Sequence, residues 1–403
     1  MSSGSEKTAR RRFLWRGLKR LCSMRKRAIG TVPVARALCF VLLICAFLPA
    51  PAFAAAAPAA ALPKEAELSK LMNDLAAYEL KTVPSPAPGQ VHGDWTVFAL
   101  SRAGKLTAVA KENYLKNLET ALPDYFDGNG KPVADRFTDY ARVSLALVSA
   151  GVNPRDQSGA DFLAPLEKPE DNLKQGANGP AYALLALDSA GFKTDDPSVR
   201  ASYVSWLLAH QSDGGGWNLA GDAGQPANPD VTSFVLQALA PYANQAAVSE
   251  AADRAFAWLS DKQSADGGFG TLESAAQVIV AQNAFGVALN DPRFVKEGHT
   301  AYDALMQYYL PDTGAFRVSL SEQFANSPDP MSTDQGFYAI NALYRSLTGK
   351  PSLYRITTEA ELKPSGGFTD SDLIRIAAFG ALALVLIALS RRLIPKRETN
   401  DGS

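Results

Sequence analysis

Trp206-Leu207-Leu208-Ala209-His210-Gln211-Ser212-Asp213-Gly214-Gly215-Gly216-Trp217 is the stretch whose reading decides the fold. Apolar residues recur at helical spacing through residues 204–211, and three consecutive glycines then allow backbone angles that a side chain forbids, so the helix stops there. After a polar tether rich in Gly, Ala and Pro, residues 230–239 open with capping-type residues and run apolar nearly all round, as a helix buried on most sides does. At a spacing of 52 residues the pattern returns. Residues 254–263 form a helix, Ser264-Ala265-Asp266-Gly267-Gly268-Phe269-Gly270 is the turn, and residues 274–284 begin another apolar helix. In both copies an aromatic stands five residues before a Gln, with Gly four and an aromatic six residues after it. Units repeating at such a period cannot bury their own apolar faces and must stack on one another.

The rest of the body reads as variations on this unit. Inner, mostly apolar helices are predicted over residues 94–104, 138–151, 179–191, 230–239, 274–284 and 332–343, with Asp94 as a cap. Outer helices are predicted near 111–121, 200–211, 254–263 and 301–310, after a polar amphipathic helix over 64–81. About six inner and six outer helices result. A closed double ring buries six apolar helices with no wet ends, whereas a linear stack leaves two. The expected fold class is therefore all-α, an α6/α6 toroid over residues 65–350.

The two ends carry different signals. Arg25-Lys26-Arg27, an apolar run over 37–48 and the small-x-small triplet Ala52-Phe53-Ala54 read as a signal segment over 1–54, with Met1 or Met24 as the start. Residues 55–64 are an Ala/Pro-rich stalk and 351–371 a polar linker. Residues 372–390 are apolar apart from Asp372 and Arg375 and precede Arg391, Arg392, Lys396 and Arg397, the pattern of a single transmembrane helix with a cytoplasmic tail over 391–403. The expected place is the cell membrane, single-pass, with the toroid extracellular. A net charge of −1 over 403 residues, without a clustered basic face, excludes nucleic acid as partner. Cys22, Cys39 and Cys45 all fall within the signal segment, so the mature chain has neither disulfide nor thiolate metal site.

The spacing of Gln211, Gly215 and Trp217, and of Gln263, Gly267 and Phe269, with Trp206 and Trp258 upstream, resembles the repeat of the terpenoid cyclase and protein prenyltransferase superfamily. With Gly179-Pro180-Ala181-Tyr182-Ala183-Leu184-Leu185 and residues 275–281, the chain looks closest to the non-catalytic branch that includes transcobalamin and intrinsic factor and to related toroid domains of bacterial surface proteins. The resemblance implies that the eight repeat residues are structural: aromatics pack over turns and Gln satisfies backbone groups. Protonating cyclases of the superfamily carry an Asp-x-Asp-Asp acid where this chain reads Asn228-Pro229-Asp230-Val231. Its prenyltransferases bind zinc through Asp, Cys and His, whereas here His92, His210 and His299 are far apart. No metal and no cofactor are expected.

The mouth of the ring is the candidate site. Inner helices that start at one face bring Asp139, Tyr140, Asn178, Asp230, Thr232, Gln277, Asp334 and Gln335 to one opening, near the partial positive charge of each helix start. These residues also read as plain caps. The expected function is a non-catalytic cell-surface binding or scaffold module, with a corrinoid or another bulky small molecule as ligand and a partner surface protein completing the site. The alternative is a terpenoid cyclase-like enzyme with a displaced acid, Asp230 or Asp334.

Overall fold

The computed structural model describes residues 61–362 apart from 91, 135, 359 and 360. The expected signal segment, the start of the stalk, the end of the linker, the membrane span and the tail lie outside the described residues. Twelve α-helices occur among them: α1 Glu65–Thr82, α2 Asp94–Arg102, α3 Ala108–Tyr125, α4 Phe137–Ser149, α5 Pro169–Asn172, α6 Asn178–Asp188, α7 Val199–Ala209, α8 Pro229–Leu239, α9 Ala246–Lys262, α10 Leu272–Phe285, α11 Ala301–Met306 and α12 Pro330–Leu347.

Even-numbered helices pack side by side in sequence order, α2 on α4, α4 on α6, and so on to α12, which packs back on α2. Odd-numbered helices lie outside them. The inner ring closes through side chains: Asn341 Nδ2 of α12 donates to the Ala99 carbonyl of α2 at 3.1 Å, and Thr96 Oγ1 of α2 donates to Asp334 Oδ1 of α12 at 3.0 Å. The outer ring closes as well, for the Tyr302 hydroxyl of α11 donates to Glu67 of α1.

The Gly-rich turns bind each outer helix to the next unit. Gln211 Nε2 donates to the Gly215 carbonyl at 2.6 Å and to the Ala251 carbonyl of α9 at 2.8 Å. Gln263 Nε2 repeats this with Gly267 at 2.9 Å and Phe294 at 3.0 Å. Trp217 is wholly buried and its Nε1 donates to the Leu207 carbonyl at 2.7 Å. Phe269 is buried in the core, and Trp206 and Trp258 pack partly buried against it. Gly215 and Gly267 both adopt positive φ, +98° and +83°.

Four local expectations need correction. Asp94 is not a cap: Gly93 holds that position, and the Asp94 carboxylate accepts from the Tyr114 hydroxyl at 2.7 Å and the Gly89 amide at 3.2 Å. The helix expected to reach residue 310 stops at Met306. Pro311 disfavours helix at Leu310, and Gly314 turns the chain so that Tyr309–Leu310 pairs antiparallel with Ala315–Phe316. The outer position between α4 and α6 is filled by two 3₁₀ turns around the four-residue α5, where Asn172, wholly buried, donates to the Pro165 and Lys168 carbonyls. Finally, residues 351–358 do not lead away as a polar linker. They form a strap across the C-terminal ends of the inner helices. Leu353 and Tyr354 are buried, Tyr354 stacks on Phe98 at 5.2 Å, and the Ile356 amide donates to the Ser189 carbonyl at 2.9 Å.

Candidate functional site

The N-terminal halves of the inner helices surround a bowl of about 330 Å³ on the ring axis. Its wall is aromatic. Trp95 of α2 lies 6.2 Å from Tyr182 of α6 and 6.0 Å from Tyr338 of α12, and Tyr182 lies 4.5 Å from Phe234 of α8, all between ring centroids. Tyr354 of the strap reaches the bowl from the opposite end and closes its floor. Such a wall takes apolar matter well, and aromatic rings hold it at low entropic cost.

Polar groups on this wall come from three helices. Gln277 Nε2 of α10 donates to the Tyr338 hydroxyl and, at 3.3 Å, to Gln335 Oε1; the Tyr338 hydroxyl donates to Gln335 Oε1 at 3.0 Å. Arg142 of α4 also lines the bowl, tied to Asp139 at 2.8 Å and Asp94 at 3.4 Å.

Asp334 is the chemically distinctive member. It is 1% exposed, one oxygen accepts from Thr96, and the other has no partner. Burial pushes its carboxyl well above the usual range, the neighbouring carboxyls of Glu79 and Asp94 add to the shift, and the Thr96 bond opposes it. Glu79 of α1 is wholly buried with both oxygens unpartnered, and burial raises it to about 8. Buried carboxyls without a counter-ion keep their protons, because ionisation in a poorly polarisable surrounding costs more than neutrality. Asp94 is raised by burial too, but Arg142, Tyr114 and the Gly89 amide stabilise its charge. Burial thus favours the protonated form of Asp334, whose O–H is a hydrogen-bond donor in an aromatic wall.

Of the eight residues predicted at the mouth, Gln277, Asp334 and Gln335 line the bowl together. The others do different work. Tyr140 is wholly buried, and its hydroxyl donates to the Tyr125 and Val133 carbonyls. Thr232 is wholly buried and holds Trp217: its Oγ1 accepts from the Trp217 amide at 2.9 Å. Asp139 pairs with Arg136 and Arg142. Asp230, a carboxyl raised by burial, accepts from Ser274 Oγ and so joins α8 to α10. Asn178 begins α6, half-buried, away from the bowl. The caps themselves are Asn228, Thr271 and Asp329, two to six residues upstream of the predicted positions.

Trp95, Arg142, Tyr182, Phe234, Tyr338 and Tyr354 were missed. All but Trp95 and Tyr354 sit about a turn or more beyond the helix start, and Arg142 and Tyr182 interrupt helices otherwise built of small and apolar residues. That interruption was the readable signal. Among the described residues, no group of three or more His, Cys, Asp or Glu is placed to hold a metal ion, and no helix is long and apolar enough to cross a membrane. His210 is structural: its ring stacks on Trp206 at 3.7 Å and its Nδ1 lies 2.7 Å from the Trp206 carbonyl.

No protein-family model and no curated protein matches the chain. Among solved structures, it is similar to two of the type II terpene cyclase MstE from Scytonema. One is an Asp-to-Asn variant in complex with its substrate geranylgeranyl dihydroxybenzoate, at 13% identity and TM-score 0.45, covering 71% of this chain and 99% of that one. The other is a Tyr-to-Phe variant without ligand, at 13% identity and TM-score 0.43, with the same coverage.

Proposed function

We propose that the ring is a binding module for a bulky, largely apolar small molecule carrying a hydrogen-bond acceptor, and that it performs no catalysis on that molecule. The observation that carries this reading is Asp334, a neutral acid in an aromatic bowl. A carboxyl with a raised pKa is a good hydrogen-bond donor to a carbonyl, ether or alcohol oxygen, and a weak source of protons for an alkene, which needs a strong acid. The bowl volume of about 330 Å³ sits at the small end of ligand pockets. A corrinoid, the ligand raised by the superfamily resemblance, would rest on the mouth with a partner surface protein over it rather than sink inside. The signal segment and the apolar run over 372–390 support a place at the cell surface, single-pass, with the ring outside.

One observation favours a second reading, a terpenoid cyclase-like enzyme. The Asp334 proton is held at the wall of a bowl whose aromatic faces are suited to a carbocation. Asp334→Asn separates the two, because Asn keeps a neutral hydrogen-bonding group and removes the transferable proton. Thermal shift and calorimetry against cobamides, isoprenoids and glycans should find a ligand that the variant binds within about tenfold of the wild type. Product formation by the wild type that Asp334→Asn abolishes would replace the module with the enzyme. A melting temperature indifferent to all three compound classes would leave a scaffold without a ligand.

A further inference from the structure

Tyr354 borders two chambers. Below it, at the C-terminal ends of α6, α8 and α10, lies a second cavity of about 580 Å³, larger than the bowl. Leu184, Val280 and Leu353 supply its apolar wall, and Gly191, Arg355 and Thr358, all exposed, form its rim, so the chamber opens to the surface opposite the bowl.

Its polar groups divide into satisfied and unsatisfied ones. The Asp188 carboxylate accepts from Arg200 Nε at 2.7 Å and from the Tyr242 hydroxyl at 2.7 Å. Thr357 donates to Glu361. Gln237, however, is 2% exposed and its Oε1 has no donor. The amide cannot be turned to cure this: its Nε2 donates to the Gln277 main-chain carbonyl at 3.0 Å and to Gln277 Oε1 at 2.8 Å, and a main-chain carbonyl only accepts. A buried acceptor left open in a cavity wall calls for a donor from whatever fills the cavity. At the rim, the Arg355 guanidinium has neither ion pair nor hydrogen bond among the described residues.

We infer that this chamber is a second binding site, independent of the bowl, for a molecule with an apolar body, a hydroxyl or amide N–H at its inner end and an acidic group at its outer end. Gln237 reads the inner donor and Arg355 the outer acid. An ω-hydroxy carboxylic acid has this layout.

Calorimetry on the full chain with 10-hydroxydecanoate and decanoate tests the assignment. The hydroxy acid should bind roughly fivefold tighter than decanoate, the worth of one neutral hydrogen bond. Gln237→Leu should erase that difference, and Arg355→Ala should weaken both acids. Ala284→Trp, at a half-buried wall position where a large side chain can enter the chamber without repacking the core, should abolish binding of both. Absence of binding by the wild type, equal affinity for the two acids, or binding that survives Ala284→Trp but is lost in the bowl variant Gln335→Leu would overturn the proposal.

Discussion

Gly267 has no room for a methyl group. Its φ is +83°, and a Cβ there would stand 2.2 Å from the Thr300 carbonyl oxygen. Gly270, three residues on, has φ +93° and open space around it. Ala at 270 therefore meets backbone strain alone, about 1 kcal/mol, while Ala at 267 meets strain and a main-chain collision, about 3 kcal/mol or more. Chemical denaturation of both variants checks this, and equal midpoints would refute the staple reading of the turn. Glu79 makes a different prediction. The unfolded chain loses its proton near 4.5, and the ring holds it to about 8. Below 4.5 both states are protonated and the burial of this carboxyl carries no ionisation penalty. As pH rises, the unfolded state gains stability by ionising first, and the full loss, a few kcal/mol at about 1.4 kcal/mol per tenfold in proton affinity, is present above 8. Stability should fall between pH 4.5 and 8, and Glu79→Gln should flatten part of that fall, the raised Asp334 carboxyl supplying the rest, and raise the melting temperature at pH 8. An unchanged slope would move the effect wholly to Asp334.

At the scale of the element, the strap shows how cations can hold a segment without carboxylates. Arg102, at the end of α2, donates to the Ser352 and Arg355 carbonyls at 3.2 Å, and Arg345, near the end of α12, donates to the Pro351 carbonyl at 2.7 Å. Burial, with Arg345 beside it, lowers Arg102 to about 9, so the clamp keeps its charge at neutral pH. Arg345→Ala should cost about 1–3 kcal/mol and speed hydrogen exchange at the Ile356 amide by about tenfold. Unaltered exchange there would mean that Tyr354 packing alone seats the strap. The strap was not legible because residues 351–362 lack any period, and isolated apolar residues such as Leu353 look like linker composition. The long helices were legible because their apolar period runs unbroken, whereas the segment around α5 is divided by Pro165 and Pro169, which open a 3₁₀ turn and α5 in place of one continuous helix. The bowl was half legible for a geometric reason. Polar residues near helix starts pointed to Gln277, Asp334 and Gln335, which line the bowl, but the same rule picked Tyr140 and Thr232, which do not. One residue is a rotation of about 100°, enough to turn a side chain from the axis into the inter-helix core.

For the whole molecule, the seam between α2 and α12 joins positions 242 residues apart. Contacts of such separation form late, since the intervening chain must be ordered first. Asn341→Ala, which removes the seam hydrogen bond and some packing, should accelerate unfolding about five- to tenfold and leave the refolding rate almost unchanged. Stopped-flow kinetics decides this: slowing of refolding by the same factor would place the seam in the folding nucleus. Each hairpin in the ring leans on the one before and the one after, and only the arrival of α12 gives α2 its second neighbour. A chain still growing from its N-terminus is thus an open horseshoe with one raw flank at each tip. It has no finished half to rest in, and α12, made long after α2, supplies the keystone that α2 waits for.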